Sequence, residues 1–341
     1  MTQPLIQFTS RGMYCAAGDF YIDPWRPVDR AVITHAHADH ARWGMKRYMA
    51  TPLTKQIMLN RISPDLTIQS VDFGESISVN GVVVSFHPAG HIPGSAQVRV
   101  EYKGEVWVAA GDYKLSPDPI AGKFENVKCH TFITESTFGL PVFRWEDDAV
   151  LKDQLHRMIE SNSSAGKNTI LFGYSLGKAQ RLHAMLDFYI HPIYLHGAIA
   201  NMTELIERET GVALPSWIRV TRETILPDEP KVIIAPPNAH NSAWTKKFKP
   251  FRTVMASGWM NLRGTRRRRN MDEGLVMSDH ADFNELLTAI GQSEAEKVIV
   301  THGYTEIFSR HLRELGYDAI SEKTAFEGEG AEDNQSEEQE A

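Results

Sequence analysis

The segment Thr34-His35-Ala36-His37-Ala38-Asp39-His40 places four imidazole or carboxylate side chains within six residues. These are donors that zinc accepts readily. In an extended turn His35 and His37 can point the same way and share one metal. Asp39 and His40 then fall on a different side and can serve a second metal nearby. Three further candidate donors stand alone: His91 in Ala89-Gly90-His91-Ile92-Pro93-Gly94, Asp112 in Ala110-Gly111-Asp112-Tyr113, and His302 in Val300-Thr301-His302-Gly303. Each follows an apolar run and has a glycine beside it, which lets the backbone turn sharply or approach closely. Side chains at strand ends converge on one rim of a sheet, so together these residues supply ligands for two metals. The matching chemistry is hydrolysis, because a divalent ion acidifies water to a pKa of about 7 and polarises the bond to be cut. The chain has only two cysteines, Cys15 and Cys129. That excludes a cysteine-based zinc site and a disulfide framework, and fits a reducing cytoplasm.

The elements that must position these donors read as short runs rich in Val, Ile and Phe. Strands are expected at Asp19–Ile22, Ala31–Thr34, Val82–Phe86, Val106–Ala110, Thr131–Thr134, Leu275–Met277 and Val298–Thr301. Each is followed by a His, Asp or Glu. Between about Leu140 and Leu262 the rhythm changes. Strand candidates Thr169–Phe172, Ile193–Leu195, Val232–Ala235 and Arg252–Ala256 alternate there with helical stretches at Lys178–Tyr189 and Met202–Thr210. That pattern is an α/β unit of its own. The reading is therefore a first domain over 1–140, an insert over 141–262, a return to the first domain over 263–325, and a tail over 326–341.

The bulk properties set limits on partners. Of 341 residues, 42% are hydrophobic and 23% charged, as in a soluble globular protein. No apolar run is long enough for a membrane span, and Met1 to Ser10 carries no secretory pattern, so a cytoplasmic location is expected. The net charge is −7, yet seven acids and no Lys or Arg fall within 327–341. That tail should be disordered, and the rest of the chain is neutral. Basic residues cluster locally at Arg263 and Arg266–Arg269, so an acidic pI does not exclude nucleic acid. In Phe172-Gly173-Tyr174-Ser175-Leu176-Gly177-Lys178 a strand, a glycine turn and a helix start follow one another. Ser175 and Lys178 are candidate phosphate contacts there, with Arg263 as a further substrate contact.

The ordered set His35-Ala36-His37-Ala38-Asp39-His40, His91, Asp112 and His302 resembles the ligand motifs of the metallo-β-lactamase superfamily. The resemblance implies a four-layer αββα sandwich holding two Zn²⁺, with Mn²⁺ able to occupy the same donors. One zinc would take His35, His37 and His91, the other Asp39, His40 and His302, and Asp112 would bridge them. Asp23 in Tyr21-Ile22-Asp23-Pro24 would accept a hydrogen bond from a ligand and orient it, and Asp29 competes for that role. Thr134-Glu135-Ser136-Thr137-Phe138-Gly139 and Ser278-Asp279-His280-Ala281-Asp282 resemble two motifs of the nuclease branch that carries an α/β β-CASP insert. Asp39, His280 and Glu135 would then be catalytic, His280 giving a proton to the leaving oxygen and Glu135 holding it.

More narrowly, Gly18-Asp19-Phe20-Tyr21-Ile22-Asp23-Pro24-Trp25-Arg26-Pro27 and Glu135-Ser136-Thr137-Phe138-Gly139-Leu140-Pro141 resemble the bacterial ligase-associated DNA exonucleases. That similarity covers about residues 5–320. It implies a DNA exonuclease in DNA repair, with single-stranded DNA as the favoured partner and a functional link to a DNA ligase or helicase. RNA is the competing substrate, because His at the position of His302 is typical of RNA-cutting members. A small-molecule hydrolase acting on a thioester or lactam shares the metal donors, but requires neither the insert, Glu135 nor His280.

Overall fold

The computed structural model describes residues 3–262, 264 and 271–325, so Arg263, Arg266–Arg269 and the acidic tail lie outside the described residues. The chain divides into two compact units, one built from residues up to Arg144 and from His280 onward, the other from Trp145–Asp279.

The first unit holds two sheets. One has six strands in the order Gln7–Thr9, Gly12–Cys15, Phe20–Ile22, Arg30–Val32, Arg47–Ala50 and Ile68–Ser70. The other has seven, in the order Asp318–Ser321, Lys297–Gly303, Thr131–Ser136, Glu105–Ala109, Ala96–Tyr102, Val82–Pro88 and Ser76–Val79. Alternation along the strands explains the layers, since successive side chains leave a strand on opposite faces. Trp107, Ala109, Ile133 and Ile299 face the other sheet and join Met13, Phe20, Ile22 and Val32 in one core. Their neighbours Val108, Phe132, Val298 and Val300 point the other way. They meet Phe283, Leu286 and Ile290 of the helix Phe283–Ser293, and Phe308 and Leu312 of the helix Thr305–Glu314. With the helix Pro52–Arg61 against the first sheet, this is the αββα order of layers that was expected.

The second unit is built on one six-stranded sheet in the order Trp217–Arg219, Ile193–Leu195, Val232–Ala235, Asn168–Phe172, Phe251–Ala256 and Glu273–Leu275. Every pairing in it is parallel. Its central strands are mainly apolar because both faces are covered. Leu171, Ile234 and Val254 pack with Leu151, Leu155 and Ile199, and Ile170, Ile233 and Met255 with Phe248 and Met260. The expected strand at Leu275–Met277 runs instead over Glu273–Leu275 and belongs to this sheet, beside Phe251–Ala256. Residues 271–279 therefore sit in the second unit, where the sequence reading had returned the chain to the first domain at 263. The helix expected over Lys178–Tyr189 stops at Met185, and that expected over Met202–Thr210 begins earlier, at Gly197.

Candidate metal centre

Topology brings the scattered donors to one edge of the first unit. The strands Glu105–Ala109, Thr131–Ser136 and Lys297–Gly303 run parallel, so Asp112, Glu135 and His302 emerge at the same end. Val82–Pro88 is antiparallel to Ala96–Tyr102, which is antiparallel to Glu105–Ala109. Its exit toward His91 is therefore at that end too. The turn bearing His35 is tied in by a hydrogen bond from the Ala96 amide to the Thr34 carbonyl, 2.8 Å.

One cluster consists of His35, His37, His91 and Asp112, each offering a donor atom within 4.8 Å of the others. Asp112 Oδ2 lies 3.6 Å from His35 Nε2, 3.4 Å from His40 Nε2 and 3.9 Å from His91 Nε2. His91 Nε2 is 3.1 Å from His37 Nδ1. Asp39 Oδ2 lies 3.6 Å from His40 Nε2, and the His302 ring centroid is 6.4 Å from that of His40. Asp39, His40 and His302 thus border the cluster without falling in the tight set. A second set, Asp112, Glu135 and His280, shares Asp112 and meets the same 4.8 Å limit.

The surrounding groups fix which atoms face inward. Asp23 is fully buried. Its carboxylate accepts from the Thr34 amide at 2.8 Å, from the Thr34 hydroxyl at 2.6 Å and from His40 Nδ1 at 2.8 Å. His40 thus points Nδ1 at Asp23 and turns Nε2 toward Asp39 and Asp112. His35 Nδ1 meets the Thr34 hydroxyl at 3.0 Å. Its Nε2 is a buried nitrogen with no hydrogen-bond partner, as is the oxygen Asp39 Oδ1. Buried polar atoms without partners cost free energy. Nitrogen and oxygen donors converging on that spot fit a divalent cation. Asp29, the competing candidate, instead sits at the surface, where Lys46 at 2.7 Å holds its carboxyl below the usual range.

The titration behaviour follows from this crowding. Burial, then the neighbouring His40 and His91, push His35 well below the ordinary imidazole value. A neutral imidazole keeps the lone pair that a metal needs. Burial also works against a charged His40, yet Asp39 and Asp112 outweigh it and hold this ring well above the usual value. Burial would raise Asp112, but His40 and His280 beside it hold the carboxyl well below the usual range.

His280 is placed by three local devices. Its Nδ1 lies 3.0 Å from both oxygens of Glu135. The next amide, Ala281, donates to the Tyr113 carbonyl at 2.6 Å. The following residue, Asp282, caps the helix Phe283–Ser293: its carboxylate accepts from the Glu285 amide at 2.8 Å while Glu285 reaches back to the Asp282 amide at 3.2 Å. Glu135 also accepts from the Tyr113 amide at 3.0 Å. The loop of His91 is pinned by Ser95, whose hydroxyl accepts from the amides of His91 and Ile92, and by Thr51 and Thr54, which donate to the Gly94 carbonyl. His302 takes a left-handed backbone, φ 56°, and Gly303 follows at φ 82°. A Cβ on Gly303 would collide with the Ser136 carbonyl.

Sequence reasoning did not single out Thr34, Tyr113 or Ser95. Only the position of Thr34 immediately before His35 could have pointed to it. Ser175 and Lys178 belong to the second unit. The Lys178 ammonium is fully buried, 4.0 Å from Asp279 Oδ2 and 4.8 Å from the centre of the Tyr174 ring. It is a cation already balanced in the interior, unlike the solvent-facing phosphate contact expected. Two amides of that turn are used internally, Gly177 donating to Gln180 Oε1 and Ala179 to the Tyr174 carbonyl.

No protein-family model matches the chain. It is similar to a probable DNA ligase of Opitutus terrae, 29% identical over 313 residues, which covers 91% of this chain and 30% of that protein. It is also similar to the endoribonuclease YSH1 of Eremothecium gossypii, 32% identical over 124 residues, covering 36% of this chain and 16% of that protein. The chain thus spans less than a third of either relative. Among solved structures, a protein of unknown function from Enterococcus faecalis superposes with a TM-score of 0.59 at 15% identity, over 87% of this chain and 79% of that one. That likeness is one of fold. Among the described residues no helix is long and apolar enough to cross a membrane.

Proposed function

Since the chain belongs to the metallo-β-lactamase superfamily, in the branch that carries a β-CASP insert, we propose that it is a metal-dependent nuclease hydrolysing phosphodiester bonds, and specifically a DNA exonuclease in DNA repair. The observation that carries this reading is the buried Glu135–His280 pair, joined at 3.0 Å and within 4.8 Å of Asp112. A hydrolase of small esters has no need of a second, carboxylate-held imidazole next to its metal donors. Zinc ions held by His35, His37 and His91 and by Asp39, His40 and His302, with Asp112 common to both, would supply Lewis-acid polarisation of the phosphoryl oxygens and a water acidified to a pKa of about 7. The same nitrogen and oxygen donors suit Mn²⁺.

The remaining work falls to the chain itself. Glu135 accepts the His280 Nδ1–H and sets the ring, leaving Nε2 to face the reacting groups. His280 then delivers the proton on Nε2 to the leaving oxygen. Asp23 does the equivalent for His40, fixing which nitrogen it presents. Asp39 keeps a carboxylate beside His40 and has an inward oxygen, Oδ1, left for coordination.

DNA is favoured by the similarity to a probable DNA ligase across 91% of this chain. RNA is the second reading, favoured by His302 and by the relative described as an endoribonuclease. End-labelled single-stranded DNA and RNA of one sequence, digested in parallel, separate the two. The expected outcome is stepwise shortening of the DNA from one end, abolished by EDTA and restored by Zn²⁺ or Mn²⁺. RNA cleavage with intact DNA selects the second reading. Turnover of a thioester or lactam with both nucleic acids intact overturns the nuclease.

A further inference from the structure

The helix Lys178–Met185 buries every residue except Ala184, although four of its eight side chains are those of Lys178, Gln180, Arg181 and His183. Polar groups in such a place must find partners. Gln180 meets the Ser175 carbonyl and the Gly177 amide, and His183 the Pro215 carbonyl. Lys178 and Arg181 do something else. Three residues apart, they leave one face of the helix and converge on the short segment Ser278-Asp279. Arg181 Nη1 donates to the Ser278 carbonyl at 2.5 Å and lies 3.8 Å from Asp279 Oδ1, while Lys178 Nζ lies 4.0 Å from Asp279 Oδ2. The other arm of Arg181, Nη2, donates to Asp148 Oδ1 at 2.5 Å. Two cations thus face two carboxylates, and Lys178, Arg181 and Asp279 are all buried.

A network of this kind is a poor source of stability, because desolvating the charges largely offsets their attraction. What it supplies is position, since a planar guanidinium anchored by both arms leaves its partners little freedom. The segment held is the stem of His280, whose preceding residue is Asp279. Beyond His280 the chain is held again, by the Ala281 amide on the Tyr113 carbonyl and by Asp282 at the start of its helix. The backbone that carries the imidazole is therefore fixed from both directions.

We propose that Lys178 and Arg181 are positioning residues for the proton donor: by caging Asp279 and the Ser278 carbonyl they set the backbone that presents the His280 ring. This rests on the nuclease reading, in which His280 protonates the leaving oxygen. A misplaced general acid matters in proportion to the leaving group's need for a proton. The alkoxide released from a nucleotide needs one, whereas p-nitrophenolate leaves without it.

The test compares these two leaving groups in two variants of the full chain. Arg181→Lys keeps the charge but replaces the two-armed guanidinium by a single ammonium, and Lys178→Met removes the other cation. In each, kcat for an end-labelled oligonucleotide falls by about tenfold or more, toward the roughly 10²-fold that a 1 Å misplacement can produce. KM and bound zinc keep their wild-type values, and hydrolysis of bis(p-nitrophenyl) phosphate is little changed. Thermal unfolding identifies a variant that has not folded, and the other then carries the test. In a His280→Ala background Arg181→Lys has no further effect, because both losses pass through one group. Equal losses on both substrates, or losses that multiply in the double variant, overturn the assignment and leave the nuclease standing. The ring-nitrogen resonances of His280 in zinc-loaded, ¹⁵N-histidine-labelled protein, assigned by their absence from His280→Ala, report the setting of the ring without turnover. They shift in Arg181→Lys, and resonances that stay in place in the folded variant also overturn the assignment. A wild type that cuts no oligonucleotide overturns the nuclease, and the resonances alone then decide whether the network sets His280.

Discussion

At the scale of single residues, Asp23 and His280 are the positions that test the proposed division between holding metal donors and moving a proton. Asp23 spends three acceptor contacts on Thr34 and His40, so Asp23→Ala leaves His40 free to rotate and to change tautomer. Zinc affinity, measured by competition with a chromophoric chelator, is expected to fall about 10–100-fold. His280→Ala is expected to keep the wild-type metal content by elemental analysis and to lower kcat by about 10²–10⁴-fold. Loss of metal in that variant would make His280 a ligand and remove it from proton transfer. Much of this was legible early, because His35, His37, Asp39 and His40 are neighbours in sequence and need no fold to declare their chemistry. Asp23 against Asp29 was not decidable in that way. Both are acids near the first strands, and the choice depends on Thr34 and His40 being wrapped around one of them while Lys46 takes the other.

At the scale of elements, the site depends on how strand ends are turned. His302 and Gly303 both take positive φ where Lys297–Gly303 passes the Ser136 carbonyl. Gly303→Ala must therefore clash as well as strain, and is expected to destabilise by more than about 1 kcal/mol, read as a lowered urea midpoint together with weakened metal binding. In the second unit, His183 on the helix Lys178–Met185 donates from Nε2 to the Pro215 carbonyl at 2.8 Å, and its Nδ1 is buried without a partner. Burial lowers its pKa below the ordinary 6.5. The neutral form is thus favoured by folding: its stabilising effect is complete above about pH 6.5 and declines as the pH falls from there through the lower folded value. A urea midpoint that drops on acidification, less steeply in His183→Gln, is the expected result, and identical slopes would remove His183 from the account. The elements themselves were only partly readable. Val82–Pro88 and Lys297–Gly303 stood out as apolar runs. Ala96–Tyr102 did not, because Gln97, Arg99 and Glu101 interrupt it, although that alternation marks a strand with two unlike faces. Glu273–Leu275 is too short to reveal which sheet it joins.

At the scale of the whole molecule, each unit has its own hydrophobic clusters, and those of the second lie entirely within Trp145–Asp279 among the described residues. Its parallel sheet is covered on both faces by its own helices and loops. A fragment spanning 145–279 is therefore expected to unfold cooperatively in urea, with a near-ultraviolet signal that is lost in the same transition. A gradual, featureless change would mean that its core is completed by the rest of the chain. The first unit is arranged in the opposite way, since Glu135 meets a histidine 145 positions later, and the strand that carries it waits for Lys297–Gly303 on one side. A ribosome adding about 5–20 residues per second takes roughly 7–30 s to cover that interval. Through it and until Lys297–Gly303 is made, Thr131–Ser136 keeps one edge with open amides and carbonyls, the kind of surface on which nascent chains aggregate. Production of intact protein should therefore improve with slower growth, cooler cultures or added chaperone, and premature stops between Trp145 and His302 should yield insoluble, inactive fragments.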